Sequence, residues 1–573
     1  MNEAVKIIFG LCGGLALFLF GMSSMSDALQ KTAGEKMKSI LGFLTKNPIM
    51  GALAGALVTA VLQSSSATTV MVIGFVSAGL MSLPQAISVI FGANIGTTMT
   101  AQLIAFKLSD YIYPIIFIGF LMIFLGKKEK LKNIGFVIFS FGLLFEGIEI
   151  MGSVMKPLAN SPIFIDLMGK VADIPVLGVL LGTVMTMVVQ SSSATIAVLQ
   201  NFAAQAGPDG ITSIIGLAGA IPILLGNNIG TTITALIASV GQSKNAKRTA
   251  IAHTIFNLSG SILFLFLIPL LTRFVRFISP AGNEVDVISR QIANAHTTFN
   301  VVCTLIWLPL IPVMVKIVTL LIPGQDRRDV AAFQPKFLDD GIIGQPAAAI
   351  YLLSKEMQRL MDKASAMLSA LKDSVGPEAA DDALNTYCQH QSAIKNLHES
   401  ISHYITKLFS SGNLTSKQSE QVAGYLFVSN SVDRIADRCH EISSSVEHIR
   451  STGKALSEEA SEELNRGMKL LGKLYKDAID SVQTGNLEVA QKVVKHKNKI
   501  RKIQRQLNKA HLARVNKGEC DAALTSDFSN ILYNLDRIAD NCVGIAEEAM
   551  DHVTLATLPE PETHSQANAR RAV

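Results

Sequence analysis

The chain has 573 residues, of which 49% are hydrophobic and 17% are charged. Soluble proteins carry about 25% charged residues, so the composition argues against a single soluble globule. The charges are unevenly distributed: residues 1–322 hold 31 charged side chains with a net charge of +7, and residues 323–573 hold 64 with a net charge of −2. Because the positive part lies beside apolar segments, the overall charge of +5 is no argument for a nucleic-acid partner.

Several segments of the first part are apolar enough to cross a membrane. A spanning helix needs about 20 mostly apolar residues. Five segments meet this criterion, at 5–25, 111–126, 133–151, 251–272 and 296–322. No small-residue cleavage site follows the first, so we expect a retained span rather than a removed signal peptide. Two more apolar stretches, 49–106 and 176–240, are interrupted by polar residues, and broken helices at membrane depth line a cavity or pack within protein.

The two interrupted stretches repeat the same polar pattern. Each has a polar string, QSSSATT at 63–69 or QSSSAT at 190–195, followed by a Gly-Asn-Thr run. The runs are GANIGTT at 92–98 and GNNIGTT at 226–232. We expect the helices to break at all four motifs. Internal repeats with interrupted segments at corresponding positions are typical of a transporter site.

The distribution of lysine and arginine predicts the topology. If the QSSS strings form re-entrant hairpins, each repeat crosses the membrane an odd number of times, and the second repeat is inverted. The N-terminus then lies outside, whereas the basic loops 26–47, 127–132 and 241–249 lie in the cytoplasm with all residues after 322, in agreement with the positive-inside rule. The predicted units are repeat one at about 5–126, repeat two at about 133–272, and a last span at about 296–322.

The QSSS strings combine two amides and six hydroxyls in apolar surroundings. No Lys or Arg lies within 15 residues of Gln63 or Gln190. Hydroxyls and free backbone N–H groups at a helix start suit a tetrahedral oxyanion, whereas amide and carbonyl oxygens suit a hard cation such as Na⁺. The pattern therefore favours a cation-coupled anion symporter. The alternatives are that Ser and Thr pack the helices together, and that Gly and Asn in the later runs cap helices.

Two further features leave alternatives open. The strings AHTIFN and AHTTFN, 43 residues apart, place His253 and His296 near the membrane ends of their predicted helices. They either have a proton-sensitive or site-supporting role or make hydrogen bonds between helices, and we favour the second interpretation. Glu146 and Glu149 lie close to the outer end of a predicted span, where they either line an ion path or extend to the interface.

Together with the opening GLALFLFGMSSMSDAL, these motifs resemble the type II sodium/phosphate cotransporter family in its bacterial form, over about residues 1–322. The resemblance implies sodium-driven transport of inorganic phosphate by a multi-pass protein of the inner membrane. It places phosphate between the two hairpin tips, at Ser64, Ser65, Ser66, Ser191, Ser192 and Ser193. It assigns sodium binding to Gln63, Gln190, Asn94, Thr97, Thr98, Asn228, Thr231 and Thr232.

The second part of the chain has the pattern of amphipathic helices. Apolar residues recur at spacings of three and four. The expected helices lie near 344–372, 377–411, 415–450, 456–484, 487–518 and 523–553. They predict two cytosolic three-helix bundles within 347–555, after a linker at 323–346 and before a disordered tail at 556–573.

The two predicted bundles share an acidic motif, VDRIADRC at 432–439 and LDRIADNC at 535–542. Each places two carboxylates on one helix face. The four are Asp433, Asp437, Asp536 and Asp540, which either bind a metal ion or form a solvated face paired with arginines. The doubled bundle and its motifs resemble PhoU, a helical regulator of bacterial phosphate uptake. The resemblance implies a regulatory domain and makes the four aspartates candidate metal ligands, and dimerisation through either domain stays open.

The fold class expected is therefore all-α: a polytopic membrane protein with two inverted repeats and re-entrant hairpins, joined to a PhoU-like pair of bundles. Three functions compete. The first is a sodium-coupled phosphate carrier, the second a phosphate exporter or carrier of another oxyanion, and the third a sensor or scaffold that moves no phosphate. An enzyme is disfavoured, because the sequence has no P-loop, HExxH or GxSxG motif.

Overall fold

The computed structural model describes most of the chain. The described residues are 3–43, 47–106, 108–159, 170, 173–207, 209–324, 334–374, 381–454, 456–551 and 553–555. Within them the regular structure is helical, apart from one isolated bridge between Ala206 and Ser213. The described residues divide into two compact units, one within 3–324 and the other within 334–555. The predicted tail, 556–573, lies outside the described residues, as does part of the predicted linker, 325–333.

The first unit is built from fourteen α-helices among the described residues. They are α1 (Glu3–Phe43), α2 (Pro48–Leu62), α3 (Ser65–Ser77), α4 (Leu83–Ile104), α5 (Ile112–Leu125), α6 (Glu129–Ala159), α7 (Pro175–Val189), α8 (Ser192–Ala203), α9 (Gly216–Gly230), α10 (Thr232–Ala238), α11 (Lys244–Phe266), α12 (Ile268–Ile278), α13 (Glu284–Trp307) and α14 (Ile311–Leu321).

Several of these helices are long and apolar enough to cross a membrane. Five qualify among the described residues: Val5–Thr32, Leu83–Ile104, Glu129–Met155, Gly216–Ala238 and Lys244–Phe266. Helices α13 and α14 qualify together but bend by 85° at their junction. The chain is therefore a multi-pass membrane protein. The predicted span at 296–322 is only part of this bent pair, and the one at 111–126 is a shorter apolar helix, α5.

Some predicted boundaries were wrong. Helix α1 continues through most of the predicted loop 26–47, as far as Phe43, and α6 continues to Ala159. Helix α4 runs unbroken through GANIGTT, where we predicted a break. The polar side chains of this run donate hydrogen bonds to carbonyls of their own helix, so that they fit a continuous helix. In the second repeat Thr231 separates α9 from α10, but its φ of −58° and ψ of −27° are helical and its amide donates to the Asn227 carbonyl at 3.1 Å, so the break predicted at GNNIGTT is wrong as well.

Glycines allow α2 to pack closely on α4, and α7 on α9, in the same way. A Cβ atom at Gly55 would overlap the carbonyl oxygen of Val89, and one at Gly92 would overlap that of Ala52. The second repeat has the same arrangement at Gly182 and Gly226. This backbone-to-backbone contact between small residues is how helices associate in a membrane, where burial of apolar surface gives little driving force.

The second unit contains the six predicted long helices, with ends shifted by a few residues. They are α15 (Pro346–Ser374), α16 (Asp381–Ser410), α17 (Ser416–Ser451), α18 (Glu458–Thr484), α19 (Leu487–Asn516) and α20 (Thr525–Met550). Buried tyrosines anchor its core: the Tyr475 hydroxyl donates to the Met361 carbonyl at 3.0 Å, and the Tyr425 hydroxyl to that of Thr554 at 2.7 Å. These bonds satisfy polar atoms that would be costly to bury unpaired.

Candidate functional site

The site is organised by two chain breaks at equivalent positions. Gln63 ends α2 with a φ of 51°, and Gln190 ends α7 with a φ of 54°. Among the described residues, these are the only non-glycine residues with positive φ. The left-handed region is costly for residues with a Cβ atom, and such strain is concentrated at functional sites. The break predicted at each QSSS string is present in both repeats.

Directly after each break, a serine begins the next helix. The Ser64 hydroxyl accepts a hydrogen bond from the Ala67 amide at 3.2 Å, and the Ser191 hydroxyl accepts one from Ala194 at 3.2 Å. The two hairpin tips, 63–66 and 190–193, therefore each contain the N-terminus of a helix. First-turn amides without a partner inside the helix, with the positive end of the helix dipole, favour an anion.

Buried threonines join the two arms of each hairpin. The Thr59 hydroxyl donates to Thr68 at 2.9 Å, and Thr186 donates to Thr195 at 3.2 Å. All four side chains are buried. In each repeat this hydrogen bond joins the helix before the break to the helix after it. Both tips are therefore held together by the same contact. These threonines were not predicted as part of the site.

The side chains of the two glutamines differ. The Gln63 side chain is buried, accepts a hydrogen bond from the Thr100 hydroxyl at 2.9 Å and donates to the Ala60 carbonyl at 2.6 Å. The Gln190 side chain is exposed and makes no side-chain hydrogen bond to the described residues. In the first tip the amide oxygen predicted to bind sodium is already held by a hydroxyl.

One contact connects the first tip to the second repeat. The hydroxyls of Ser66 and Thr234 lie 3.2 Å apart. Thr234 occupies in GNNIGTTIT the position that Thr100 occupies in GANIGTTMT. Sequence reasoning missed both threonines, although extending the repeat alignment by two residues would have included them.

The predicted asparagines pair with the two histidines. Asn94 Oδ1 lies 3.2 Å from His253 Nε2, and Asn228 Oδ1 lies 3.0 Å from His296 Nε2. The histidines are buried well inside α11 and α13 rather than near the ends of their helices, which corrects the predicted location. Because Asn94 Nδ2 donates to the Ile90 carbonyl, its Oδ1 is the acceptor, and His253 Nε2 is the donor.

The four threonines predicted to bind sodium make hydrogen bonds to the backbone of their own helices. Their hydroxyls donate to backbone carbonyls three or four residues earlier, and the donors are Thr97, Thr98, Thr231 and Thr232. All four are buried. Each hydroxyl oxygen keeps lone pairs that could coordinate a cation.

Of the two predicted carboxylates, Glu149 accepts a hydrogen bond from Ser109 at 2.9 Å. In Glu146, Oε2 is buried with no partner among the described residues.

The acidic motifs of the second unit have different surroundings. Asp540 forms ion pairs with Lys497, Arg501 and Arg537, and Asp536 lies 3.6 Å from Arg501. Cations at these carboxylates oppose metal binding.

The other acidic pair is less neutralised. Asp433 lies 4.0 Å from His398 Nε2. Burial raises the pKa of Asp433, and the His398 imidazole acts in the opposite direction. Asp437 lies one turn further along α17. The described residues contain no cluster of three or more His, Cys, Asp or Glu side chains placed to hold a metal. Metal binding at the four aspartates stays a prediction.

Comparison with known proteins agrees with this division. The family model of the Na⁺/Pi-cotransporter matches residues 17–153 and 154–279, and the PhoU domain matches 357–446 and 464–549. No solved structure matches the chain.

Three relatives illustrate the range of similarity. The uncharacterized protein YqeW of Bacillus subtilis is 36% identical over 48% of this chain and 87% of its own length. A putative inorganic phosphate export protein, YjbB of Salmonella typhimurium, is 24% identical over 94% of this chain and 97% of its own. The sodium-dependent phosphate transport protein 2A of Rattus norvegicus is 37% identical over 17% of this chain and 15% of its own. The chain therefore belongs to the Na⁺/Pi-cotransporter family of phosphate transporters and carries a C-terminal PhoU domain.

Proposed function

We propose that the chain carries inorganic phosphate across the inner membrane by sodium-coupled symport and alternating access. The observation that supports this most is the pair of strained breaks at Gln63 and Gln190, each followed by a helix N-terminus. In the proposal, the hydroxyls and first-turn amides of 64–66 and 191–193 hold phosphate between the two tips. In the proposed topology the two tips come from inverted repeats and together form one site at the repeat interface, where carriers of this kind bind their substrate.

Sodium is proposed because the serine tips have no fixed cation in their own sequence segments. An anion in a low-dielectric cavity is costly unless its charge is offset. The amide oxygens of Gln63, Gln190, Asn94 and Asn228 and the neighbouring threonine hydroxyls are the candidate ligands. Asn94 Oδ1 accepts a hydrogen bond from His253, and Gln63 Oε1 accepts one from Thr100. Sodium at either oxygen would have to share that oxygen with the donor or displace the donor. Sodium binding is therefore expected to rearrange the first tip.

The PhoU domain is proposed to sense phosphate status or gate the carrier from the cytosol. The supporting observation is the basic character of 127–132 and 241–249, which by the positive-inside rule favours a cytoplasmic location for these segments and, in the proposed topology, for the residues after 322. Homodimerisation stays a prediction.

Export is the second candidate. Relatives that match nearly the whole chain, including the PhoU domain, are named as putative phosphate export proteins. The same two tips serve either direction, because the transmembrane gradients determine the direction of net flux through an alternating-access carrier.

Flux of radiolabelled phosphate in proteoliposomes tests the proposal. We expect uptake that requires an inward sodium gradient and ends when a sodium ionophore dissipates it. Phosphate binding without flux would overturn the carrier proposal. Flux that is independent of sodium, or that runs only from the side bearing the PhoU domain, would favour export.

The variants Ser65→Ala and Ser192→Ala test the tips directly. Each removes one hydroxyl from a proposed half-site, and loss of a hydrogen bond to a charged ligand costs about 1.5–3 kcal/mol. We therefore expect phosphate KM to rise at least about tenfold in each variant. Ser153→Ala, at an exposed position on α6, is the matched control and should transport at the wild-type rate. Wild-type KM in both tip variants would remove these serines from the site.

A further inference from the structure

Helix α19 concentrates positive charge in a part of the chain that is otherwise slightly acidic. Its thirty residues include nine Lys or Arg and one acidic residue, Glu488. Residues 323–573 as a whole have a net charge of −2. The neighbouring helix α18 mixes both signs, with six acidic and four basic residues. The basic character is therefore a property of this one helix.

Only part of this charge is neutralised within the domain. Lys497 and Arg501 pair with the aspartates of α20, and Arg514 pairs with Glu463. The remaining basic side chains are exposed and form no ion pair with the described residues. They are Lys492, Lys495, Lys499, Lys502, Arg505 and Lys509, and we call them the basic stripe.

The basic stripe lies on one face of the helix. Its members recur at spacings of three and four residues, which brings side chains together along a helix. From Lys492 to Lys509 the stripe is about 25 Å long. Like charges at these spacings destabilise an isolated helix, and no acidic residue between them reduces the repulsion. An ordinary solvated face mixes charges, as α18 does, so the stripe indicates an anionic partner with an extended surface.

The chain's own architecture identifies the partner. The first unit spans a membrane, and 24 residues separate the end of α14 at Leu321 from the start of α15 at Pro346. Part of this segment is held by the second unit, because the amides of Lys336 and Phe337 donate to Glu356 of α15 and the Tyr404 hydroxyl donates to the Asp339 carbonyl. The free part is therefore shorter than the about 85 Å of a fully extended segment of 24 residues, and the second unit always remains within reach of the lipid surface. Each lysine close to an anionic leaflet adds to binding, and a covalent tether removes most of the entropic cost of association. We propose that the basic stripe of α19 binds the anionic headgroups of the membrane that contains the chain's own transport unit.

Lysine acetylation of the full chain in nanodiscs tests the proposal. One nanodisc contains phosphatidylcholine alone, and the other an equal mixture with phosphatidylglycerol. Mass spectrometry measures the acetylation rate of each lysine. We expect the stripe lysines to react at least about threefold more slowly in the anionic nanodisc, with the protection lost in high salt, because the Debye length falls from about 8 Å at physiological ionic strength to 3 Å at 1 M. Lys469, Lys473 and Lys476, which are exposed on α18, are the internal control and should react equally in both.

Two triple variants, one in the basic stripe and one on α18, test whether the protection depends on the charges of the stripe. In Lys495→Gln/Lys499→Gln/Lys502→Gln, the remaining stripe lysines Lys492 and Lys509 should lose their protection by phosphatidylglycerol. In Lys469→Gln/Lys473→Gln/Lys476→Gln the protection should persist. Equal reactivity of the stripe in both lipids would overturn the proposal. If the stripe lysines react more slowly than the control lysines of α18 to the same extent in both lipids, the proposal is also overturned. That result would indicate that a protein surface, such as a second copy of the chain, covers the stripe.

Discussion

Residue-scale contacts show how closely the two halves of the transport unit correspond. Both repeats have the strained glutamine, the serine that begins the next helix and a pair of hydrogen-bonded threonines. In both, a histidine is also hydrogen-bonded to the asparagine. The repeats differ in the glutamine side chains, because Gln63 is held by Thr100 and Gln190 is exposed. The two repeats therefore share their backbone conformation at the tips and differ in side-chain contacts there.

The histidines are expected to orient the asparagines. In His253→Leu, Asn94 Oδ1 loses its main donor while it stays buried, which should destabilise the chain by about 1–3 kcal/mol. In His253→Gln the side-chain amide can still donate to Asn94, so we expect most of the stability of the native chain to be retained. The sodium concentration needed for transport should rise less in His253→Gln than in His253→Leu. Thermal unfolding and sodium-dependent flux check this. Equal effects of the two substitutions would show that His253 only fills space.

The positive φ of the two glutamines predicts an unusual order of stability. Gln190→Gly should be more stable than Gln190→Ala by about 1 kcal/mol, because glycine adopts the left-handed region without the Cβ penalty. In an ordinary helix, alanine is the more stable residue. At Gln63 both substitutions also remove the hydrogen bond with Thr100, so both should reduce sodium-dependent transport. Thermal unfolding of the four variants measures this order, and alanine being more stable at both positions would contradict the strained breaks.

Among the secondary-structure elements, some were easier to predict than others. The QSSS breaks and the six amphipathic helices were predicted from local patterns, since polar interruptions and periodicity are properties of neighbouring residues. The break expected at GANIGTT was wrong, because Asn94, Thr97 and Thr98 can satisfy their donors within the helix. Glycines there allow contact with α2 rather than ending α4. The sequence pattern did not distinguish a glycine that packs from one that ends a helix.

Close helix contact makes the glycines of α2 and α4 intolerant to substitution. Gly55→Ala and Gly92→Ala each place a methyl group where a backbone carbonyl of the partner helix lies, so the helices must separate. Overpacking of this kind costs about 1–3 kcal/mol. Gly13→Ala in α1 is the control, because no atom lies within 4 Å of its added Cβ. We expect lower thermal stability and reduced flux for the first two variants only, and wild-type stability in both would disprove the close packing.

Across the whole molecule, the change in composition near residue 323 predicted the division into two units, and in the structure the described residues up to 324 belong to the first unit and those from 334 to the second. The site was predicted less completely. The repeats identified the glutamines, serines and asparagines, and hydrogen bonds between helices were the favoured interpretation of His253 and His296. The partners Thr100 of Gln63 and Thr234 of Ser66 were not predicted, and neither was the pairing of each histidine with an asparagine. Contacts between helices depend on packing geometry, which neither spacing nor composition specifies. Long-range polar pairs are therefore the part of this site that required the structure.

The same division predicts that the transport unit works without the PhoU domain. All proposed phosphate and sodium ligands lie before residue 233, and the last described residues of the first unit are held by α11. Arg248 donates to the carbonyls of Ile322 and Gly324, and Lys244 donates to that of Pro323. A chain truncated after Gly324 keeps these acceptors. We expect it to fold and to transport phosphate with an unchanged KM. If the PhoU domain gates the carrier as proposed, the maximal rate of the truncated chain differs from that of the full chain.

A chain truncated after Leu321 is the comparison. It lacks the three carbonyls that accept hydrogen bonds from Arg248 and Lys244. Arg248 is a largely buried cation. Leaving a buried charge without its acceptors costs more than losing a surface contact, so this shorter chain should unfold at a lower temperature than the one ending at Gly324. Thermal unfolding and proteoliposome flux of the two chains test both expectations. A folded chain ending at Gly324 that binds no phosphate would mean that the PhoU domain completes the site, and the proposal of a self-sufficient pair of hairpin tips would be wrong.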